Sequence, residues 1–148
     1  MNINANTENV SLPATTIDTI LVAGNWMNEI YSDHLKEYGI SVQQLQVLRS
    51  LKKLEGKPAN LLEIQDQMLS KNSNTTRLVE KLRLKNYITR VQNPNNRRMV
   101  EIAITKTGEA LLTKIEKTMK DFEKSIRKNV TKRDMITLIK ILNKLGVT

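Results

Sequence analysis

The stretch Leu69-Ser-Lys-Asn-Ser-Asn-Thr-Thr-Arg-Leu-Val-Glu-Lys-Leu82 decides the fold of this chain. It begins with a short polar segment and continues with apolar residues at helical spacing, namely Leu78, Val79 and Leu82. Another short helix is predicted before it, because Asn60 and Glu63 have the spacing of a capping box. Its predicted buried side is formed by Leu61, Ile64, Met68 and Leu69. Two short helices joined by about four polar residues are typical of a helix-turn-helix, although an ordinary helical hairpin has the same pattern.

The outward face of the second helix favours the helix-turn-helix. At about 100° per residue, the face opposite its apolar residues carries Ser73, Thr76, Arg77 and Glu80, with Lys81 beside it. Small hydroxyls and an arginine near the start of an exposed helix suit base edges and phosphates in a major groove. The candidate DNA-binding residues of this segment are therefore Ser73, Asn74, Thr76, Arg77 and Lys81. Thr75 falls on the inward side and is expected to be structural.

After Asn86 the apolar period changes from helical to alternating. The segments 87–92 and 98–104 are predicted strands, and the second places Val100, Ile102 and Ile104 on one face. Between them Asn93-Pro-Asn-Asn96 predicts a turn, so that Arg97 and Arg98 lie close to a hairpin tip. These arginines are candidate DNA contacts on a wing that enters the minor groove. The alternative is that they keep an edge strand soluble.

The two ends of the chain are predicted to be helical and to meet in a subunit interface. An amphipathic helix is expected over 17–35, after a flexible extension over 1–15. Capping residues Ser41, Thr105 and Thr131 start three further helices, of which the second runs to about Asn129. The last helix is apolar nearly all round and must be buried on more than one side. A subunit interface formed by both chain ends satisfies this requirement.

Charge and composition exclude several classes of protein. The 148 residues have a formal net charge of +9, and the segment 71–98 contains Glu80 as its single acidic residue among Lys71, Arg77, Lys81, Arg83, Lys85, Arg90, Arg97 and Arg98. Such a single-sign patch is typical of nucleic-acid binding. The absence of cysteine and the single His34 argue against a metal site and a thiol nucleophile. No apolar run approaches the length of a membrane span, so a cytoplasmic location is expected. The few aromatic residues argue against single-strand binding by base stacking.

The helix-turn-helix and hairpin segments resemble those of the MarR family of bacterial winged-helix transcriptional regulators. Asn74-Thr-Thr-Arg-Leu-Val-Glu-Lys-Leu82 resembles its recognition helix, and Asn93-Pro-Asn-Asn-Arg-Arg98 followed by Ile104-Thr-Lys-Thr-Gly108 resembles its wing tip and the start of its fifth helix. The resemblance implies a mainly α-helical chain with a small β-hairpin. It divides the domain 16–148 into dimerisation helices, about 16–38 and 109–148, and a winged helix-turn-helix, about 41–108. It also implies a homodimer that releases DNA when a small molecule binds near the dimer junction.

This chain departs from the family pattern in three ways. Asn93 and Asn96 replace the usual aspartates of the wing turn, which makes the tip more purely cationic. Asn86 replaces the glycine that commonly ends the recognition helix, and asparagine is the next best residue for a left-handed position. The lack of cysteine excludes the peroxide-sensing branch, and the single histidine argues against the zinc-sensing branch.

The residues favour a sequence-specific double-stranded-DNA-binding regulator that acts as a homodimer, and the resemblance implies that it is a ligand-responsive repressor. The alternative is a winged-helix module that binds DNA without specificity or contacts other proteins. An enzyme is not expected, because no phosphate loop, nucleophile motif or metal cluster is present, and no cofactor is predicted. A ligand pocket between the first and fifth helices would involve Trp26, Met27 and Tyr31. The same three residues are explained equally well as dimer core, which is the interpretation favoured here.

Overall fold

The structure, a computed structural model, describes residues 11–70, 73–93, 96 and 99–146. Along the chain, the elements are α1 (Leu12–Lys36), α2 (Val42–Lys53), α3 (Leu61–Asp66), α4 (Thr75–Leu84), β1 (Ile88–Gln92), β2 (Val100–Ile104), α5 (Lys106–Asn129) and α6 (Lys132–Lys144). This order confirms the predicted mainly helical fold with a small hairpin. No helix within the described ranges is long and apolar enough to cross a membrane.

Side-chain caps fix where the helices begin. The Ser41 hydroxyl accepts from the Gln44 amide, and the Gln44 side chain accepts from the Ser41 amide in return. The same reciprocal arrangement starts α3 at Asn60 and α6 at Thr131. Each cap satisfies backbone donors that the first turn of a helix leaves without a partner. All three predicted capping boxes are therefore confirmed.

Helix α1 starts earlier than predicted, at Leu12 rather than near Ile17. Pro13 lies in its first turn, where the fixed φ of proline suits a helix and the missing amide has no cost. The hydroxyls of Thr15 and Thr16 also donate back to the carbonyls of residues 11 and 12. Residues 12–15 are thus helical and not a flexible extension, whereas residues 1–10 lie outside the described residues.

The core is organised around α2, which packs against α1, α3, α4, α5 and β2. The fully buried side chains come from helices α1 to α5 and from strand β2. They include Leu35, Leu45, Leu48, Leu51, Ile64, Val79, Leu82, Ile102 and Ile115. Leu69 was predicted to join this core but is 86% exposed. The reason is that α3 ends at Asp66, so that Leu69 lies in the turn and not on the helix face.

The hairpin is antiparallel, with Ile88 opposite Ile104 and Gln92 opposite Val100. Ile102 is buried, while Val100 and Ile104 are half-buried, which confirms the predicted inward face of β2. The amide and carbonyl of Ala59 both bond to Ile102 at 2.8 Å, so that the segment before α3 pairs with the edge of β2. This pairing ties the hairpin to the helical core on one side.

Large apolar surfaces on α1 and α6 are left uncovered within the chain. No residue of α6 is buried, and its exposed apolar side chains are Ile136, Leu138, Ile139, Ile141 and Leu145. The first half of α1 similarly exposes Leu12, Ile17, Leu21, Val22 and Trp26. Contiguous apolar surface of this kind marks an interaction site rather than ordinary protein surface.

The packing of α5 under the hairpin predicts a strong effect of Gly108→Ala. A Cβ at this position would lie 2.1 Å from the Tyr87 carbonyl oxygen and 2.9 Å from Cγ1 of Ile104. We expect the free energy of unfolding to fall by about 1–3 kcal/mol, the usual cost of overpacking. Chemical denaturation measures it.

Gly24→Ala is the control, because a Cβ there meets no atom within 4 Å in the middle of α1. This exchange should stabilise the protein by up to about 1 kcal/mol, the difference in helix propensity between the two residues. Equal stability of Gly108→Ala and the wild-type protein would contradict the described contact between α5 and the hairpin.

Candidate nucleic-acid interface

The orientation of α4 is set by its inward side. Thr75 is 5% exposed, and Val79 and Leu82 are almost fully buried. The Asn74 side chain caps the helix by accepting from the Arg77 amide at 3.0 Å. Thr75 is therefore structural, as predicted, and the cap explains why the helix begins directly after the polar turn.

The opposite side of α4 carries the predicted contact residues. Asn74, Thr76, Arg77 and Lys81 are exposed, and Ser73 is half-buried. Within the described part of the chain, the side chains of Arg77 and Lys81 form no ion pair. Their charges are thus available to a ligand outside the chain.

Four of these residues line one cleft between α4 and the start of α2, which we call the α2–α4 cleft. Its volume is about 310 Å³, and it is lined by Ser41, Gln43, Ser73, Asn74, Arg77, Leu78 and Lys81. Thr76 lies on the same helix outside this lining. Reasoning from the sequence missed Ser41 and Gln43. The capping box marks the start of α2 in the sequence, but the proximity of that start to α4 depends on tertiary packing.

The acidic residue on the outward side of α4, Glu80, is paired with an arginine of the same helix. The Arg83 guanidinium donates to the Glu80 carboxylate, with Nη2 and Oε1 2.7 Å apart. These hydrogen bonds lower the pKa of Glu80 and raise that of Arg83 from their usual values. Glu80 and Arg83 compensate each other, and among the described residues no carboxylate lines the α2–α4 cleft.

The side chain of Asn93 holds the described part of the wing turn. Asn93 Oδ1 accepts from the Asn96 amide at 2.9 Å, and Asn93 Nδ2 donates to Glu101 at 2.6 Å. An aspartate at position 93 could form the first bond but would repel the Glu101 carboxylate. Arg97 and Arg98, the predicted wing contacts, lie outside the described residues.

A larger cavity of about 490 Å³ lies between α1 and α2, and we call it the α1–α2 cavity. Its lining residues are Gly24, Met27, Asn28, Tyr31, Val42, Gln43, Leu45, Gln46, Arg49, Leu69 and Ser70. Met27 and Tyr31 thus lie at a cavity, although it adjoins α2 and the turn before α4 instead of α5. Trp26 is not part of the lining; its ring packs edge-on against Phe122 of α5, with centroids 6.2 Å apart. Among the described residues, no group of acidic and histidine side chains could hold a metal ion.

Comparison with known proteins agrees with this geometry. The model of the MarR family matches residues 40–100, which include the helix-turn-helix and most of the hairpin. The regulator SarZ of Staphylococcus epidermidis is 25% identical over 114 residues, covering 76% of this chain and 73% of SarZ. It is named an HTH-type transcriptional regulator.

Two solved structures have the same fold. A mutant of MarR from E. coli in complex with operator DNA superposes with a TM-score of 0.77 at 22% identity, covering 90% of this chain and 94% of that chain. The organohalide-sensing RdhR-CbdbA1625 regulator, with 2,4-dichlorophenol bound, gives 0.83 at 16% identity, covering 93% of this chain and 81% of that chain. SarZ is named as a regulator and not as an enzyme, in agreement with the expectation from the residues.

Proposed function

We propose that the chain belongs to the MarR family of winged-helix proteins and that it is a sequence-specific, double-stranded-DNA-binding repressor. The observation that carries the proposal is the exposed charge of Arg77 and Lys81 in the α2–α4 cleft, which no described residue neutralises in an ion pair. A helix with this arrangement fits the major groove, with its N-terminal residues on base edges and its basic residues on phosphates. Because the DNA of a bacterium lies in its cytoplasm, the protein acts there.

The uncovered apolar faces of α1 and α6 support a homodimer. A second copy of the chain would cover both faces, and burial of each large apolar side chain contributes about 1.5–3 kcal/mol. Two recognition helices related by a two-fold axis then read half-sites about one helical turn apart. The dimer therefore supplies the spacing on which operator choice depends.

The α1–α2 cavity supports a response to a small molecule. Met27, Tyr31, Val42 and Leu45 give it apolar walls, and Asn28, Gln46 and Arg49 supply polar groups. A mainly apolar cavity with a few polar groups is the usual form of a small-molecule site. The RdhR relative, which binds a chlorinated phenol, shares the fold. The cavity also borders Leu69 and Ser70, so that a ligand there would contact the turn before α4.

A second candidate function is a winged-helix module that binds DNA without specificity. The two functions differ in the ratio of affinities for a selected operator and for random duplex at the same salt concentration. A specific regulator binds its operator about 10³–10⁷ times more tightly than random duplex. A ratio near unity would favour the module.

Arg77→Ala should weaken operator binding by at least tenfold and relax the base preference, because a side chain that reaches base edges contributes about 1–3 kcal/mol of discrimination. Thr76→Ala should have a smaller effect, since a hydroxyl forms one weaker contact. Fluorescence anisotropy with selected and single-base-changed duplexes provides both quantities.

The matched control is Arg83→Ala on the same helix, because Arg83 is paired with Glu80. It removes the same charge and should lower affinity much less. If Arg77→Ala kept both affinity and base preference, α4 would not be the recognition helix.

The double variant Arg97→Ala/Arg98→Ala tests whether the wing contacts DNA. If either arginine reaches a phosphate or a narrow minor groove, specific and random duplexes should lose affinity by similar factors. The slope of log affinity against log salt should also decrease by about 1 per subunit. Salt titrations of the variant and the wild-type protein measure the slope. An unchanged slope with a lower melting temperature would instead show that the arginines brace the wing.

Ile139→Asp should dissociate the dimer. Ile139 is 58% exposed within the chain, so the exchange leaves the packing of the protomer intact but places a charge in the interface. Sedimentation velocity at micromolar concentration should show monomers.

The control is Thr137→Asp, which adds the same charge on the side of α6 that carries Arg133, Lys140 and Lys144 and should leave a dimer. A wild-type protein that sediments as a monomer, or an Ile139→Asp variant that stays dimeric, would contradict the assignment of this face to the interface.

A further inference from the structure

The recognition helix forms only one side of the α2–α4 cleft. The other side is the start of α2, where Ser41 and Gln43 line the cleft together with Arg77 and Lys81. Gln43 is exposed, and its side chain forms no hydrogen bond within the described part of the chain. The capping box of α2 is made by Ser41 and Gln44, so that the helix does not need the Gln43 amide. The side chain of Gln43 is therefore not needed for the packing or the capping of α2.

The charges around the cleft define what it can hold. Among the described residues, two cationic side chains line it, no carboxylate does, and its other polar groups are hydroxyls and amides. The cleft is open, and its volume is about 310 Å³. This is about ten times the ~30 Å³ that one water molecule occupies in the liquid. Cations combined with neutral donors are the groups that proteins use to bind backbone phosphates. The cleft thus fits an oxyanion presented from outside the chain.

The proposed docking of α4 brings such an anion to this place. When a recognition helix lies in the major groove, the helix before it in the motif crosses the DNA backbone that borders the groove. The start of α2 lies next to the start of α4, on the side of the chain that carries Arg77 and Lys81. A phosphate of that strand would be within reach of both helices.

From these observations we propose that Gln43 is a DNA-contacting residue, which donates its side-chain amide to a backbone phosphate held in the α2–α4 cleft. The proposal rests on the proposed function, because it requires α4 to bind the major groove. It adds a contact delivered by α2, which the recognition helix alone does not provide. Because Gln43 also lines the α1–α2 cavity, this contact would be the one nearest to a bound ligand.

Gln43→Ala should lower operator affinity on the order of tenfold, the loss expected for one hydrogen bond to a charged group. Since glutamine is neutral, the number of released counterions stays the same, and the salt slope should not change. Gln43→Glu should lose more, because its carboxylate would repel the phosphate. Both variants should keep the melting temperature of the wild-type protein, since Gln43 is exposed and lies outside the capping box.

Gln46→Glu is the matched control for charge. Gln46 lies one turn further along α2 and lines the α1–α2 cavity but not the cleft. Its side-chain oxygen accepts from the Leu69 amide at 3.4 Å, and a glutamate keeps this acceptor. If Gln43→Glu and Gln46→Glu reduced affinity equally, the effect of Gln43→Glu would come from net charge alone, and the proposed contact would be wrong.

Operator duplexes with a single neutral methylphosphonate identify the phosphate directly. A duplex selected from random sequences should contain one position per half-site at which the replacement weakens the wild-type protein about tenfold more than it weakens Gln43→Ala. If every replacement weakened both proteins by the same factor, Gln43 would not contact a phosphate.

Arg77→Ala, measured on the same duplexes, distinguishes a failure of the proposed α2 contact from a failure of the proposed function. A loss of affinity for Arg77→Ala without one for Gln43→Ala would overturn the contact from α2 and leave the proposed function intact. No loss for either variant would overturn both.

Discussion

The burial of one side of α4 against the helical core is the constraint on which the rest of the structure depends. Val79 and Leu82 lose nearly all contact with solvent, and burial of each contributes about 1.5–3 kcal/mol. At helical spacing, this fixes Arg77 and Lys81 on the outward side. Sheet pairing at Ala59 and the packing of Gly108 under Tyr87 then hold the hairpin beside the same core. The helix and the hairpin are thereby presented as one unit.

Helix α2 connects the part of the molecule that is proposed to bind DNA with the part that is proposed to form the dimer interface. It packs against α4 and α5 and has one end in the α2–α4 cleft. Lys52 pairs with Glu109 at 2.7 Å, and Arg49 lies 3.7 Å from Glu116. Exposed pairs of this kind contribute less than about 1 kcal/mol each, so they orient α5 more than they stabilise it. Arg49 also lines the α1–α2 cavity, so that a ligand there would touch this connection as well as Gln43.

Local sequence signals were sufficient for most of the fold. Capping boxes at Ser41, Asn60 and Thr131, the inward face of α4 and the alternation in β2 all depend on residues close together in the chain. The hairpin turn was predicted from Asn93 and its neighbours, and the bond from Asn93 to Glu101 explains why asparagine suits the turn.

Features that depend on long-range packing could not be predicted in the same way. The contribution of Gln43 to the α2–α4 cleft arises from the approach of two helices that are distant in sequence. The cavity adjoins α2 and not α5, and the ring of Trp26 instead packs against Phe122 of α5. Leu69 is exposed because α3 stops short of it, and the end of so short a helix is weakly encoded in the sequence.

Hydroxyl-radical and methylation protection of a selected operator test the central claim, that two recognition helices of a dimer read successive major grooves. The account predicts two protected major-groove segments related by a two-fold axis, about 10–10.5 base pairs apart between centres. On a random duplex at the same salt concentration, this pattern of protection should be absent. One protected segment, or uniform protection that does not depend on sequence, would contradict the account.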